Sequence, residues 1–131
     1  MKKIILVSLL FGVPICAAEE VGSWSCEGVS SIGFLWQNGS WQNQAYTPAN
    51  YLLTIGSEGN ASLIFSGYQW AFRDCVGDNI IRCSTDVGNV IVLNRNTGNG
   101  AVSSIVAAAA APEDEEATTF MERVQCNKVE R

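Results

Sequence analysis

The sequence predicts an all-β domain: a small antiparallel meander that closes into a barrel, or stacks as a sandwich, with two disulfides. Three observations predict it. Short alternating or apolar runs recur with turn residues between them, about every eight to twelve residues. No segment carries a convincing amphipathic helical period. Four cysteines follow an N-terminal leader pattern, and an even count after a leader reads as a disulfide frame in an oxidising compartment.

The element that organises the chain is the stretch Gly33 to Trp41. Asn38-Gly39 suits a two-residue type I′ turn, because both central positions need φ > 0. Gln37 then faces Ser40 and Trp36 faces Trp41. The second pair out from such a turn is not hydrogen-bonded, so its side chains approach most closely. Two indoles there are expected to stack on one face.

The chain has 131 residues and the first eighteen read as a secretory signal peptide. Lys2 and Lys3 are basic, Ile4 to Ile15 is apolar, and Cys16-Ala17-Ala18 supplies small residues before Glu19. The apolar run falls short of the roughly twenty residues that span a bilayer. Cleavage after Ala18 leaves residues 19–131 as one domain. A lipoprotein anchored through Cys16 is the alternative, although Ile15 stands where a small residue is expected. The net charge is −5 and becomes more negative once Lys2 and Lys3 depart. The remaining basic residues are scattered, so neither nucleic acid nor an anionic membrane surface is an expected partner.

Along the rest of the chain, Glu19 to Gly22 reads as a frayed end and Ser23 to Cys26 as the first strand, with Trp24 and Cys26 on one face. The hairpin follows, its second arm running from Ser40 to Tyr46. Thr47 to Asn50 is a turn around Pro48. Tyr51 to Ile55 and Ala61 to Phe65 are strands, and Tyr68 to Phe72 carries a further strand into Cys75. Ile80 to Cys83 and Asn89 to Arg95 are strands, with turn clusters before each. Ala101 to Ile105 is β-like, and the alanine run Val106 to Ala111 is read as the tail of that strand. Pro112 to Ala117 is an acidic loop. Thr118 to Cys126 closes the domain, with Phe120, Glu122, Val124 and Cys126 on one face.

Of three possible connectivities, Cys75–Cys83 with Cys26–Cys126 is favoured. The first staples a hairpin and the second ties the first strand to the last. In the chain-entropy model they contribute about 2.5 and 4.7 kcal/mol. A last strand beside the first means closure, which removes exposed edges.

The order Cys26, Ser31-Ile32-Gly33-Phe34, Trp36, Asn38-Gly39, Trp41 and Tyr51, followed by Cys75, Cys83, Asn94 to Gly98 and Cys126, resembles a group of short exported bacterial proteins. Its members similarly carry a Gly-Phe-x-Trp hairpin, a central cysteine pair and a late cysteine. The resemblance implies export, one domain and the cysteine framework. It implies no catalytic residue.

Chemistry is sparse. The chain has no histidine, so Ser-His-Asp and Cys-His sites are ruled out. Paired carboxylates from Asp74, Asp78, Asp86 and Glu122 are the one catalytic option. No catalytic function is expected, and no metal or cofactor. Glu113 to Glu116 lacks the alternation and glycine of a calcium loop and reads as solvated. The sequons at Asn38 and Asn60 read as chance. The large aromatics are the binding candidates: Trp36, Trp41, Trp70 and Tyr51. The competing reading is that they are core, since a small domain needs large side chains to bury enough area.

The expected function is that of an exported, monomeric binding or interaction module of the bacterial envelope, periplasmic or secreted. A protein, a glycan or a small apolar ligand fits as partner. The alternatives are a proteinaceous enzyme inhibitor that presents the Gln37–Ser40 turn or the acidic loop, or a passive envelope protein.

Overall fold

The computed structural model describes residues 20–110 and 116–130. The leader over 1–18, the acylation alternative at Cys16, and Glu113, Asp114 and Glu115 lie outside them. The elements are β1 (Glu20–Gln37), β2 (Ser40–Tyr46), β3 (Asn50–Gly56), β4 (Ala61–Phe65), β5 (Tyr68–Phe72), β6 (Asp74–Val76), β7 (Ile80–Ser84), β8 (Val90–Asn94), β9 (Asn99–Ser104), α1 (Ala107–Ala110) and β10 (Glu116–Val129).

All pairings are antiparallel, in the order β5-β4-β3-β1-β10-β9-β8-β7-β6, with β2 added on β1. The two ends of this order, β5 and β6, are consecutive in the chain with only Arg73 between them. The sheet therefore curls until one bent strand serves both of its ends. The Cys75 amide donates to the Gly59 carbonyl at 2.8 Å and ties β6 to the β3–β4 turn. The result is a nearly closed meander barrel with its last strand beside its first, as the sequence predicts.

β1 differs from expectation. The predicted first strand and the first arm of the hairpin are one continuous strand of 18 residues. It begins within the stretch read as frayed, where Glu20 and Gly22 pair with Gly56 and Ile55. Along one side β1 pairs with β10 from Ser23 to Gln37. Along its other side it pairs with β3 up to Glu27 and with β2 from Ser31 onward. A bulge interrupts the register between Gly28 and Ser30. The alanine run also differs: Ala107 to Ala110 form one helical turn instead of a strand tail. Alanine is the strongest helix former, and this turn packs on β10.

The interior is filled. Trp24, Cys26, Leu53, Leu63, Phe72, Ile91, Leu93, Val102 and Val124 are buried there and form one cluster. Cys26 bonds Cys126 across the β1–β10 ladder, and Cys75 bonds Cys83 across β6–β7. These are the predicted connectivities. They place the described chain in a non-cytoplasmic, oxidising compartment. Among the described residues no helix is long and apolar enough to cross a membrane.

Candidate functional site

The four aromatic candidates separate into two groups. Trp36 and Trp41 lie on a three-stranded ribbon that continues beyond the barrel body. Tyr51 and Trp70 lie in the body.

The ribbon comprises the second half of β1, all of β2 and the first residues of β10. Asn38 and Gly39 have φ of 55° and 79°, the turn that the Asn-Gly pair predicts. Gln37 pairs with Ser40 and Trp36 with Trp41. The indole centroids are 5.4 Å apart at an interplanar angle of 61°, an edge-to-face contact and not the stack expected. The positive edge of one ring meets the negative face of the other, which the indole quadrupoles favour.

The bulge in β1 decides which way this ribbon faces. Before it, Trp24 and Cys26 point inward. After it, Ser31 is the next buried side chain, so the inward phase has moved to odd numbers. Ile32, Phe34 and Trp36 therefore point outward, where the register sets them beside Met121, Thr119 and Ala117 of β10 and beside Ala45, Asn43 and Trp41 of β2. An extra residue in one strand shifts the facing of everything beyond it.

Among the described residues the outward face is apolar and open over Ile32, Phe34, Met121 and Trp41, while its Ala117 and Thr119 are buried. Ile32 is 56% exposed, Phe34 52%, Met121 55% and Trp41 38%, while Trp36 is half-buried. Phe34 forms a ridge between two depressions. One, of about 290 Å³, is lined by Phe34, Trp41, Thr119 and Ala108 of α1. The other, of about 480 Å³, runs past Ile32, Phe34, Asn43 and Ala45. Neither encloses a small molecule; both are shallow features of a face.

The outer edge of β2 is unpaired among the described residues. Trp41, Asn43 and Ala45 sit at non-hydrogen-bonded positions opposite β1, so their N–H groups point away from the sheet. The strand reads Ser-Trp-Gln-Asn-Gln-Ala-Tyr. It carries no charge, no proline and no bulge, the usual protections of an edge.

The second group gathers where the ribbon meets the barrel. Tyr51 is buried, and its ring lies 5.0 Å from that of Phe65. Trp70 packs on Phe65 at 4.8 Å and on Phe120 at 6.3 Å. Between them is Glu122, only 2% exposed. Its Oε2 accepts the Ala49 amide at 3.0 Å, and the Tyr51 phenol hydrogen-bonds to its carboxylate. Burial, reinforced by this carboxylate, raises the Tyr51 phenol well above the ordinary tyrosine range. Gly28 makes room for the carboxylate, because a Cβ there would overlap Glu122 Oε2 and the Ala49 carbonyl oxygen.

Of the carboxylates considered for catalysis, Asp74 is exposed on β6, and Asp78 and Asp86 are exposed in the turns flanking β7. Glu122 alone is buried. Sequence reading left Ser31, Tyr46, Phe65 and Phe120 out of its candidates. One signal was available: Glu122 occupies the core phase of its strand between Phe120 and Val124, and an ionisable side chain there needs an explanation. Among the described residues no group of His, Cys, Asp and Glu is arranged to hold a metal ion. Compared with known proteins, the chain matches no family model, no curated protein and no solved structure.

Proposed function

We propose that this protein is an exported, non-catalytic binding module that captures an extended segment of a partner protein on its ribbon. The partner strand adds to the open edge of β2. Main-chain bonds to Trp41, Asn43 and Ala45 supply affinity, and alternate apolar side chains of the partner lie in the depressions on either side of Phe34. The observation that supports this reading is the coincidence of an unprotected edge with an exposed apolar face on the same three strands. The disulfides and the leader pattern are consistent with action in the periplasm or outside the cell. A second reading, inhibition of an enzyme, draws support from the tip: Asn38, Gly39 and Ser40 are all exposed at the end of the ribbon.

The test is photo-crosslinking in the native host from benzoylphenylalanine placed at position 45. One discrete adduct is expected. It should disappear on Asn43→Pro, which removes an edge donor without touching the β1–β2 ladder, and on Phe34→Ser. An adduct indifferent to both changes would overturn the reading. So would an adduct made only with a second copy of the chain.

A further inference from the structure

The recess at the barrel mouth has a chemistry of its own. It has a volume of about 160 Å³, and its lining includes Tyr46, Tyr51, Phe65, Phe120, Ser31 and Glu122. Glu122 forms the buried part, while Tyr46, Phe65 and Phe120 are half-exposed toward the opening. The register places Ser31 directly between Tyr46 and Glu122 across neighbouring strands, with all three on the inward face.

Two features of this arrangement point to a cation. The first is the carboxylate. Among the described residues its hydrogen-bond partners are the Ala49 amide and the Tyr51 phenol, both neutral. A carboxylate offers about four lone-pair sites, so acceptor capacity remains. A carboxylate away from water is costly unless a positive charge compensates it. The second feature is the wall. Aromatic faces carry negative quadrupole potential and attract a cation placed over them. A hard metal ion is a poor match, because it needs several oxygen ligands and only one carboxylate is present. A purely apolar ligand is also a poor match, because it would seal the carboxylate from water with no counter-charge.

We propose that this recess binds an organic ammonium group, with Glu122 as its counter-ion and the rings of Tyr46, Tyr51, Phe65 and Phe120 as its walls. The ammonium belongs either to a small free amine or to a lysine side chain of a peptide. This site is separate from the outward face of the ribbon, and each can fail without the other.

The test is a titration of the disulfide-intact protein followed by NMR shifts of the Tyr51 and Phe120 rings. The probes are choline, its uncharged isostere 3,3-dimethylbutan-1-ol, n-butylammonium and Nα-acetyl-lysine methylamide. Choline or n-butylammonium should saturate, and choline should bind at least about tenfold more tightly than its isostere. Glu122→Gln should abolish that preference, while Phe34→Ser on the ribbon should leave it intact. Binding of the lysine amide as tightly as n-butylammonium assigns a peptide source. Its exclusion assigns a small amine. The proposal is overturned if neither ammonium saturates at millimolar concentration, or if the isostere binds as well as choline. The isostere comparison on the unmodified protein decides the matter even if Glu122→Gln does not fold.

Discussion

The barrel body and the ribbon are made from the same two long strands, yet they obey opposite rules. In the body, β1 and β10 are paired on both sides, their inward residues are buried, and the Cys26–Cys126 bond fastens them. In the ribbon β1 is still paired on both sides, but among the described residues the outer edges of β2 and of Glu116 to Thr119 in β10 are open, and Ile32, Phe34 and Met121 face out. The change happens at the bulge between Gly28 and Ser30. By absorbing Val29, the bulge keeps Ile32, Phe34 and Trp36 at the surface, where alternation through every residue from Trp24 would have turned them into the core. A stripe of aromatics is therefore not evidence of a core until its phase relative to the preceding strand is known.

The most severe way to break this contrast is to insert one alanine between Val29 and Ser30. With the bulge absorbing only one residue, the inserted one would turn Ile32, Phe34 and Trp36 inward against a filled interior. We expect loss of cooperative folding, a deficit beyond about 5 kcal/mol, which is comparable with the whole stability of a small domain. Near-UV circular dichroism and denaturant unfolding would read it. Next come the staples. Replacing Cys26 and Cys126 together by alanine should cost about 4.7 kcal/mol, and replacing Cys75 and Cys83 about 2.5 kcal/mol. The first joins β1 to β10, so its loss should also loosen the root of the ribbon.

Tyr51 sharpens the comparison from inside the body. Tyr51→Phe removes a donor from the buried Glu122 carboxylate and should cost about 1–3 kcal/mol. Its pH dependence has a definite sign. The Tyr51 phenol is raised in the folded state, so above about pH 10 the unfolded chain ionises first and stability falls as pH climbs further. Below that pH both states keep the proton and the term vanishes. In an absorbance titration at alkaline pH, Tyr51→Phe should delete a late-ionising phenol. Trp41→Ala should have the smallest effect, about 0.5–1 kcal/mol from the lost indole pair, because the ring is exposed and outside the core.

Much of both regions was legible in the chain. The Asn38-Gly39 turn, the pairing of Trp36 with Trp41 and both disulfides follow from local turn chemistry and spacing. Strand alternation put Trp24 with Cys26 on one face and Glu122, Val124 and Cys126 on one face, and in the structure both of these faces are inward. The bulge was not legible, since Gly28-Val29-Ser30 carries no pattern that distinguishes a bulge from the end of a strand. Without it, the expectation divided Glu20–Gln37 into separate pieces and left the facing of the hairpin open. The alanine turn was misread because four residues hold too little period to oppose a preceding strand. For Glu122, its phase was visible but its neighbours were not. Ala49 and Tyr51 lie more than seventy residues away in sequence, and only closure of the sheet brings them to it.

The most direct test is amide hydrogen exchange along β2, measured residue by residue by NMR on the isolated protein. The Gln42, Gln44 and Tyr46 amides bond to β1 and should be protected. Those of Trp41, Asn43 and Ala45 should exchange at rates near those of an open chain, because they face outward from an uncovered edge. Protection of these three to the level of their neighbours would mean that the edge is already occupied, and would contradict the ribbon as a free docking surface.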